Sequence, residues 1–314
     1  MTIQTGAQAS VLIGVESAFK TIATAGFVMQ INSSSVKSTR SQETPKTIRG
    51  DLNPPEPFSG NIDVAGKIVV PVDSIAFWYW LQLALGDPTT TGSGPYVHTF
   101  KAGTTRSSFT LEYQFTELGT SKYFQYTGCK VAGMSFSAGV EGELLATFDV
   151  VGAVETIATS SFDGSPTTPD FSRLKNRHLA MTEGGSAINN AKSVDCNINF
   201  NLDTSQYVIG GSSVRGSLPD SIFTVGGNLS AMFEDTALLE KAIDSTESAI
   251  VMTFTNGATS ILAITIPEVK YERSSPGIDG PQGIAISLPF SAFYNDATQA
   301  TSFQAVITNS VAHA

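Results

Sequence analysis

Two stretches of this chain are versions of one another. Val64 to Asp87 reads VAGKIVVPVDSIAFWYWLQLALGD, and Val225 to Ser245 reads VGGNLSAMFEDTALLEKAIDS, starting 161 positions later with no gap across the strand and the helix start. In the first stretch Val64, Gly66, Ile68, Val70 and Val72 fall on one face of a strand, and Ala65, Lys67, Val69 and Pro71 on the other, because successive side chains alternate. Val225, Gly227, Leu229, Ala231 and Phe233 keep the same parity. A slip of one residue would invert every side chain, so the matched parity points to a shared strand. A helical pattern then begins at the same offset in both copies, with Ser74 and Asp235 placed as N-caps. Leu238, Leu239, Ala242 and Ile243 make an apolar stripe on the second helix, with Glu240, Lys241 and Asp244 outside it. AFWYWLQLAL in the first copy is apolar nearly all round, which predicts a helix buried more deeply or covered by a neighbouring subunit.

The correspondence extends in both directions. TIRGDLNPPEPF (47–58) matches SVRGSLPDSIF (213–223) through its Arg-Gly pair and the Leu two places on; SSFTLEYQF resembles SAIVMTFTN, and LLATFDVVGAV resembles IAISLPFSAFY. Short alternating runs separated by turn residues fill most of the rest, so the chain reads as all-β with minor α: two tandem β-sandwich or β-barrel domains, each with a flanking helix. The expected division is an N-terminal arm (1–28), a first domain (29–157) carrying a long irregular loop (33–60), a linker and connecting segment (158–190) around the Ser/Thr/Pro/Asp/Gly-rich TSSFDGSPTTPDFS, and a second domain with its tail (191–314). Long polar loops in compact domains are often functional.

Composition narrows the chemistry. A formal net charge of −10 argues against a groove that grips nucleic acid by neutralising phosphates. Cys129 and Cys196 have no CxxC spacing and read as small buried hydrophobes rather than a disulfide or zinc framework. The N-terminus lacks a signal-peptide pattern and the longest apolar run is too short for a membrane span, so the expectation is a soluble protein made in a cytoplasm, with no membrane binding of its own.

No catalytic, cofactor or metal site is expected. His98, His178 and His313 lack a GxSxG elbow to serve. GGSSVRG (210–216) lacks the Lys-Ser/Thr of a phosphate loop and reads as a turn. Asp279 in SSPGIDGPQG is a single carboxylate, too few for a cation cage, and Glu141 and Glu143 read as solvated turn residues.

Two charge clusters remain. Lys37, Arg40, Lys46 and Arg49 make the long loop locally basic against Glu43. Glu234, Asp235, Glu240, Asp244 and Glu247 make the second helix region acidic against Lys241. In stacked identical subunits, the basic loop is a candidate inter-ring contact and the acidic cluster its partner surface. Sheet edges to share, a long loop and an arm suit a chain that assembles with copies of itself.

At this point the sequence resembles the major tail tube proteins of long non-contractile-tailed bacteriophages. The resemblance rests on FTVGGNLSAMFEDTALLEKAIDSTESAIVMTF with the preceding VDCNINFNLD, on GNIDVAGKIVVPVD, WLQLALGDP and YVHTFKAG in the first copy, and on ITIPEVKYE with GPQGIAISLPFSAFYND near the end. It implies domains of the tail-tube type whose inner sheets join between subunits into a barrel around a lumen, with loops and arms linking stacked rings. Two copies per chain imply a homotrimeric, pseudo-hexameric ring. Further implied are a tape-measure protein, a tail terminator and distal tail or baseplate proteins as partners, DNA passage without sequence-specific contacts, assembly in the host cytoplasm, and a final place in the virion.

Other classes carry weaker signals. A carbohydrate-binding or adhesin β-sandwich needs exposed aromatics, yet Trp78 and Trp80 both fall in the predicted buried helix. A β-rich hydrolase lacks its motifs. A capsid decoration or baseplate protein uses similar small β domains, and self-assembly into tubes separates these from a tube subunit.

Overall fold

The computed structural model describes residues 3–103, 105–118, 120–278 and 280–313. It is an antiparallel β structure with two α-helices among the described residues, α1 (Phe77–Leu85) and α2 (Ala237–Ile243).

One sheet runs through both halves of the chain. Its strands pair in the order Lys37–Glu43, Phe58–Pro71, Leu145–Gly152, the later part of Lys122–Gly139, Ala191–Asn199, Thr224–Met232 and Ala285–Ala292. The join between the halves is the pairing of 133–139 with 193–199. Across the sheet the register sets Ile68, Phe148, Met134, Ile198 and Val225 side by side, and all five are buried. One residue along every strand, the row is Val69, Thr147, Ser135, Asn197, Gly226 and Ser291. This alternation seals an apolar face against the core and leaves a polar face of hydroxyls and amides to solvent.

The two halves share one connectivity. In the first, the pairing order is Lys37–Glu43, Phe58–Pro71, Leu145–Gly152, Lys122–Gly139, Phe109–Phe115, Ser10–Val15. In the second it is Ala191–Asn199, Thr224–Met232, Ala285–Ala292, Ile261–Tyr271, Ser248–Thr255, Leu179–Glu183. Even the irregularities correspond: register shifts fall between Phe109 and Leu111 in one half and between Ser248 and Ile250 in the other. Gly66 and Gly227 hold the same place, where a Cβ would come within 2.4 Å of the Val36 backbone and 1.9 Å of the Asp195 carbonyl oxygen respectively. Only glycine permits that approach of adjacent strands.

Three expectations differ from the observed fold. The segment 1–28, read as an arm, contributes the strand Ser10–Val15, fully paired with Phe109–Phe115, and its Val11, Leu12 and Ile13 are core residues. Leu179–Glu183, placed in the connecting segment, is the matching strand of the second half. The loop 33–60 is largely a hairpin, because Lys37–Glu43 pairs with the start of Phe58–Pro71 and leaves 44–57 as the tip.

Two elements lie outside the shared pattern and tie the halves together. A hairpin inserted after α1, Thr89–Thr91 with Tyr96–Lys101, pairs through Tyr96–Lys101 with the C-terminal strand Gln304–Asn309, whose other edge pairs with Ile261–Tyr271. His98 is buried at this join, between the Thr90 hydroxyl at 2.8 Å from Nδ1 and the Val311 carbonyl at 3.0 Å from Nε2. His313 stacks on Trp78 at 4.5 Å, and burial lowers its pKa to about 4. Cys129 and Cys196 are buried free thiols, and burial pushes the Cys196 thiol up to about 12. No helix among the described residues is long and apolar enough to cross a membrane.

The first helix is capped differently from expectation. Asp73, not Ser74, accepts the backbone N–H groups of Ile75 and Ala76 at 2.6 Å and of Phe77 at 2.9 Å. Ser74 turns inward to share a hydrogen bond with the Ser260 hydroxyl at 2.8 Å, so its side chain is committed elsewhere. Asp235 does serve α2, accepting the Ala237 N–H at 2.9 Å.

Candidate assembly interface

Three surfaces are open in the isolated chain: the edges of the through-running sheet, its polar face, and the tip of the 37–65 hairpin. Lys37–Glu43 pairs on one side only among the described residues, with Phe58–Pro71. At the opposite end Ala285–Ala292 is bordered by Thr224–Met232 along its length but by Ile261–Tyr271 only at residues 290–292. Unpaired N–H and C=O groups on such edges are templates for another strand. Pro289 lies on the partly open edge strand, where a missing N–H removes fewer ladder bonds.

In the middle of the polar face the lysines are paired, whereas Lys37, beside Ala65, and Lys270, beside Ser291, are exposed towards its edges. Lys67 pairs with Asp149 at 3.1 Å and Lys130 with Asp220 at 2.8 Å. The adjoining row is Leu145, Ser137, Asp195 and Asn228 along one strand direction, and it presents one more carboxylate to solvent.

Lys37, Arg40, Lys46 and Arg49 are all exposed along the hairpin. Arg40 donates from Nε to the Gly60 carbonyl at 2.8 Å, which fixes it across the hairpin, and Arg49 pairs with Asp51 at 3.3 Å. The tip is also apolar: Ile48 is 97% exposed and Leu52 106%. Sequence reasoning chose the charges here and missed these two side chains; an Ile and a Leu inside a Pro-rich polar loop with no strand pattern were the available signal.

Glu234, Asp235, Glu240, Asp244 and Glu247 are likewise exposed, on and around α2. Asp235 is engaged as the cap, Glu240 accepts the Thr236 hydroxyl at 2.6 Å, and Glu234 accepts the Asn190 amide at 3.4 Å. Lys241 is turned away from them, to Glu183 at 2.6 Å, so the surface around α2 is more acidic than its composition suggests. The structure does not bring the basic and acidic clusters together within the chain.

The remaining candidates are structural in their surroundings. Glu141 and Glu143 are exposed, and Glu143 pairs with Arg173. His178 is half-buried, and its Nδ1 accepts the Lys175 N–H at 3.3 Å. Ser212 and Ser213 adopt positive φ of 56° and 64° within a turn of the GGSSVRG stretch. Asp279 lies outside the described residues.

A family model described as phage tail tube protein matches residues 6–292, which takes in both open sheet edges, the hairpin tip and both helices. No curated protein matches the chain. On the length of that match, the chain belongs to the phage tail tube protein family.

Proposed function

We propose that the chain polymerises into stacked rings that form the tail tube of a long non-contractile-tailed phage, the conduit for genome delivery. The observation that carries this reading is the single sheet running through both halves with an open edge at each end. A sheet of that kind closes when identical chains join edge to edge around an axis. Because each chain supplies two halves of one connectivity, three chains give a pseudo-sixfold ring. Its polar face, built of Ser, Thr and Asn with paired lysines, becomes the lumen wall. With Lys67 and Lys130 paired to Asp149 and Asp220, the middle of that wall offers little free positive charge, so a polyanion slides along it instead of binding by counterion release.

In this reading the hairpin bearing Lys37, Arg40, Lys46 and Arg49 reaches a neighbouring subunit, and the acidic surface of Glu234, Asp235, Glu240, Asp244 and Glu247 receives basic groups from another. A tape-measure protein inside the tube, a terminator at one end and distal tail proteins at the other complete the assembly, which takes place in the host cytoplasm. The role is structural, with no reaction required of the chain.

Negative-stain electron microscopy of the concentrated full-length protein, with averaged end-on views, tests the proposal. Hollow rings or tubes with threefold or pseudo-sixfold symmetry are the expected result. Closed particles without a lumen would instead favour a capsid decoration role.

A further inference from the structure

The Arg-Gly-x-Leu element occurs twice in the chain, and only one copy is seated. In the second half Arg215 and Leu218 are 5% and 2% exposed. Arg215 donates to the carbonyls of Gly152 at 2.9 Å and Thr204 at 2.8 Å, and pairs with Asp63 at 2.6 Å. Leu218 lines one cleft together with Glu16, Ala18, Phe19, Ser108 and Lys130, and Lys130 holds Asp220 two residues further on. Apart from Thr204, every one of these receptors belongs to the first half. The loop between Ala191–Asn199 and Thr224–Met232 therefore docks sideways onto the half that precedes it.

The matching loop of the first half lies between Lys37–Glu43 and Phe58–Pro71 and carries Arg49-Gly50-Asp51-Leu52. Its Leu52 is fully exposed, with no seat for it in the described residues of its own half. A receptor for it is nevertheless present. The shared pairing places Lys270 where Lys130 stands, since Lys130 faces Val151 and Lys270 faces Ser291. Phe109 faces Cys129 as Ser248 faces Val269, which puts Glu247 at the position of Ser108. Lys270 and Glu247 are both exposed. The charge at this receptor also suits the incoming loop. Carboxylate oxygens of Glu247, Glu268 and Asp296 lie within 4.8 Å of one another, and Glu268 adjoins Val269, the strand partner of Ala292, which corresponds to Gly152.

We propose that Arg49–Leu52 of one chain docks on the second half of the next chain in the same ring. Leu52 enters the seat bordered by Glu247 and Lys270, and Arg49 meets the exposed carboxylates of Glu247 and Asp296, beside the buried Glu268, whose oxygens accept the N–H groups of Asn295 and Asp296. This rests on the ring reading and makes the contact lateral, not axial. The seat inside each chain and the seat between chains then alternate around the ring. Different charges keep them distinct, because the internal seat offers Arg106 and Lys130 to Asp220, whereas the external seat offers carboxylates to Arg49.

The test is a full-length Leu52→Cys/Glu247→Cys variant, oxidised after assembly and resolved on a denaturing gel, with the same samples imaged. The native thiols are buried and do not compete. Disulfide-linked species of two and three chains that stop at three are expected, with each single variant giving at most dimers. Leu52→Asp should lower the fraction assembled at least tenfold while leaving the melting temperature of the free chain unchanged, because that side chain touches nothing in it. Rings or tubes that form without the three-chain species overturn the proposal, as does a ladder running past three chains, which marks an axial contact. Absence of both assemblies and cross-links overturns the ring reading together with it.

Discussion

The two helices occupy the same position in two halves of one connectivity, yet different chemistry holds each. α1 buries Phe77, Trp78, Trp80, Leu81, Leu83, Ala84 and Leu85, with Trp80 stacked on Phe148 at 5.2 Å. α2 buries only Ala242 and leaves Ile243 48% exposed. At the position of Trp80 the second helix carries Lys241, which pairs with the buried Glu183. Glu183 also accepts the hydroxyls of Ser248 at 2.6 Å and Tyr271 at 3.3 Å. The cause lies in the segment on the C-terminal side of each helix. After α1 the chain inserts the Thr89–Thr91 and Tyr96–Lys101 hairpin, which brings Phe100 and His98 edge-on to Trp78; after α2 the next strand begins at Ser248. A repeated sheet thus constrains strand register tightly and helix composition hardly at all, because the cover over the helix can be supplied from elsewhere in the chain.

The largest effect that separates the halves is expected at this position. Trp80→Ala should cost about 3–5 kcal/mol, as large aromatic truncations in a packed core do. Lys241→Ala should cost about 2 kcal/mol, since it strips a charged partner from a buried carboxylate that keeps two hydroxyl donors. Denaturant unfolding of both variants measures the difference. Equal losses would mean that the exposed helix is as integral to its half as the buried one.

A second contrast lies in the caps. Burial raises the Asp73 carboxyl to about 6, against the pull of the backbone N–H groups that it accepts. The folded state then holds this proton more tightly than the unfolded chain does. Stability from this group is greatest below the unfolded value near 3.8 and declines as pH rises through about 6, by about 3 kcal/mol in all. Melts of Asp73→Asn against the parent chain between pH 4 and 7 should lack that decline. A difference between the two curves that stays constant with pH would show that Asp73 is ionised throughout.

Much of this frame was legible in the residues. Val64, Ile68 and Val70 against Val225, Leu229 and Ala231 fix a strand face in each half, and the burial of all six follows that alternation. The Arg-Gly pairs at 49 and 215 were equally visible as a match. Their opposite environments were not, because whether a loop is seated depends on which half precedes it in space, which spacing along the chain does not encode. Ser10–Val15 was missed for a related reason. VLIGV is a short apolar run without a sequence partner, and its match, LAMTE, shares strand pairing and no side-chain pattern. The shift from Ser74 to Asp73 as the cap has a local cause: both residue types cap well, and the hydroxyl of Ser260 across the core decides between them.

The smallest expected effect is at Asp235, the cap that the second half does use. It is exposed, and its side chain accepts a single described N–H, that of Ala237, whereas Asp73 accepts three from the start of a buried helix and a further one from Ser172. An exposed cap exchanges its hydrogen bond readily with water, so Asp235→Ala should cost about 0.5–1 kcal/mol in the free chain. α2 contributes little buried surface, so the loss should appear as faster amide exchange in 237–243 with little change in the global melt. The cap also lies in the acidic surface proposed to meet a neighbour, and there the outcome sharpens the comparison between the halves. If Asp235→Ala frays α2 in the free chain and the fraying persists in assembled protein, the helix serves only its own half. If assembly restores protection to 237–243, a neighbouring subunit supplies to α2 the cover that α1 receives from its own chain.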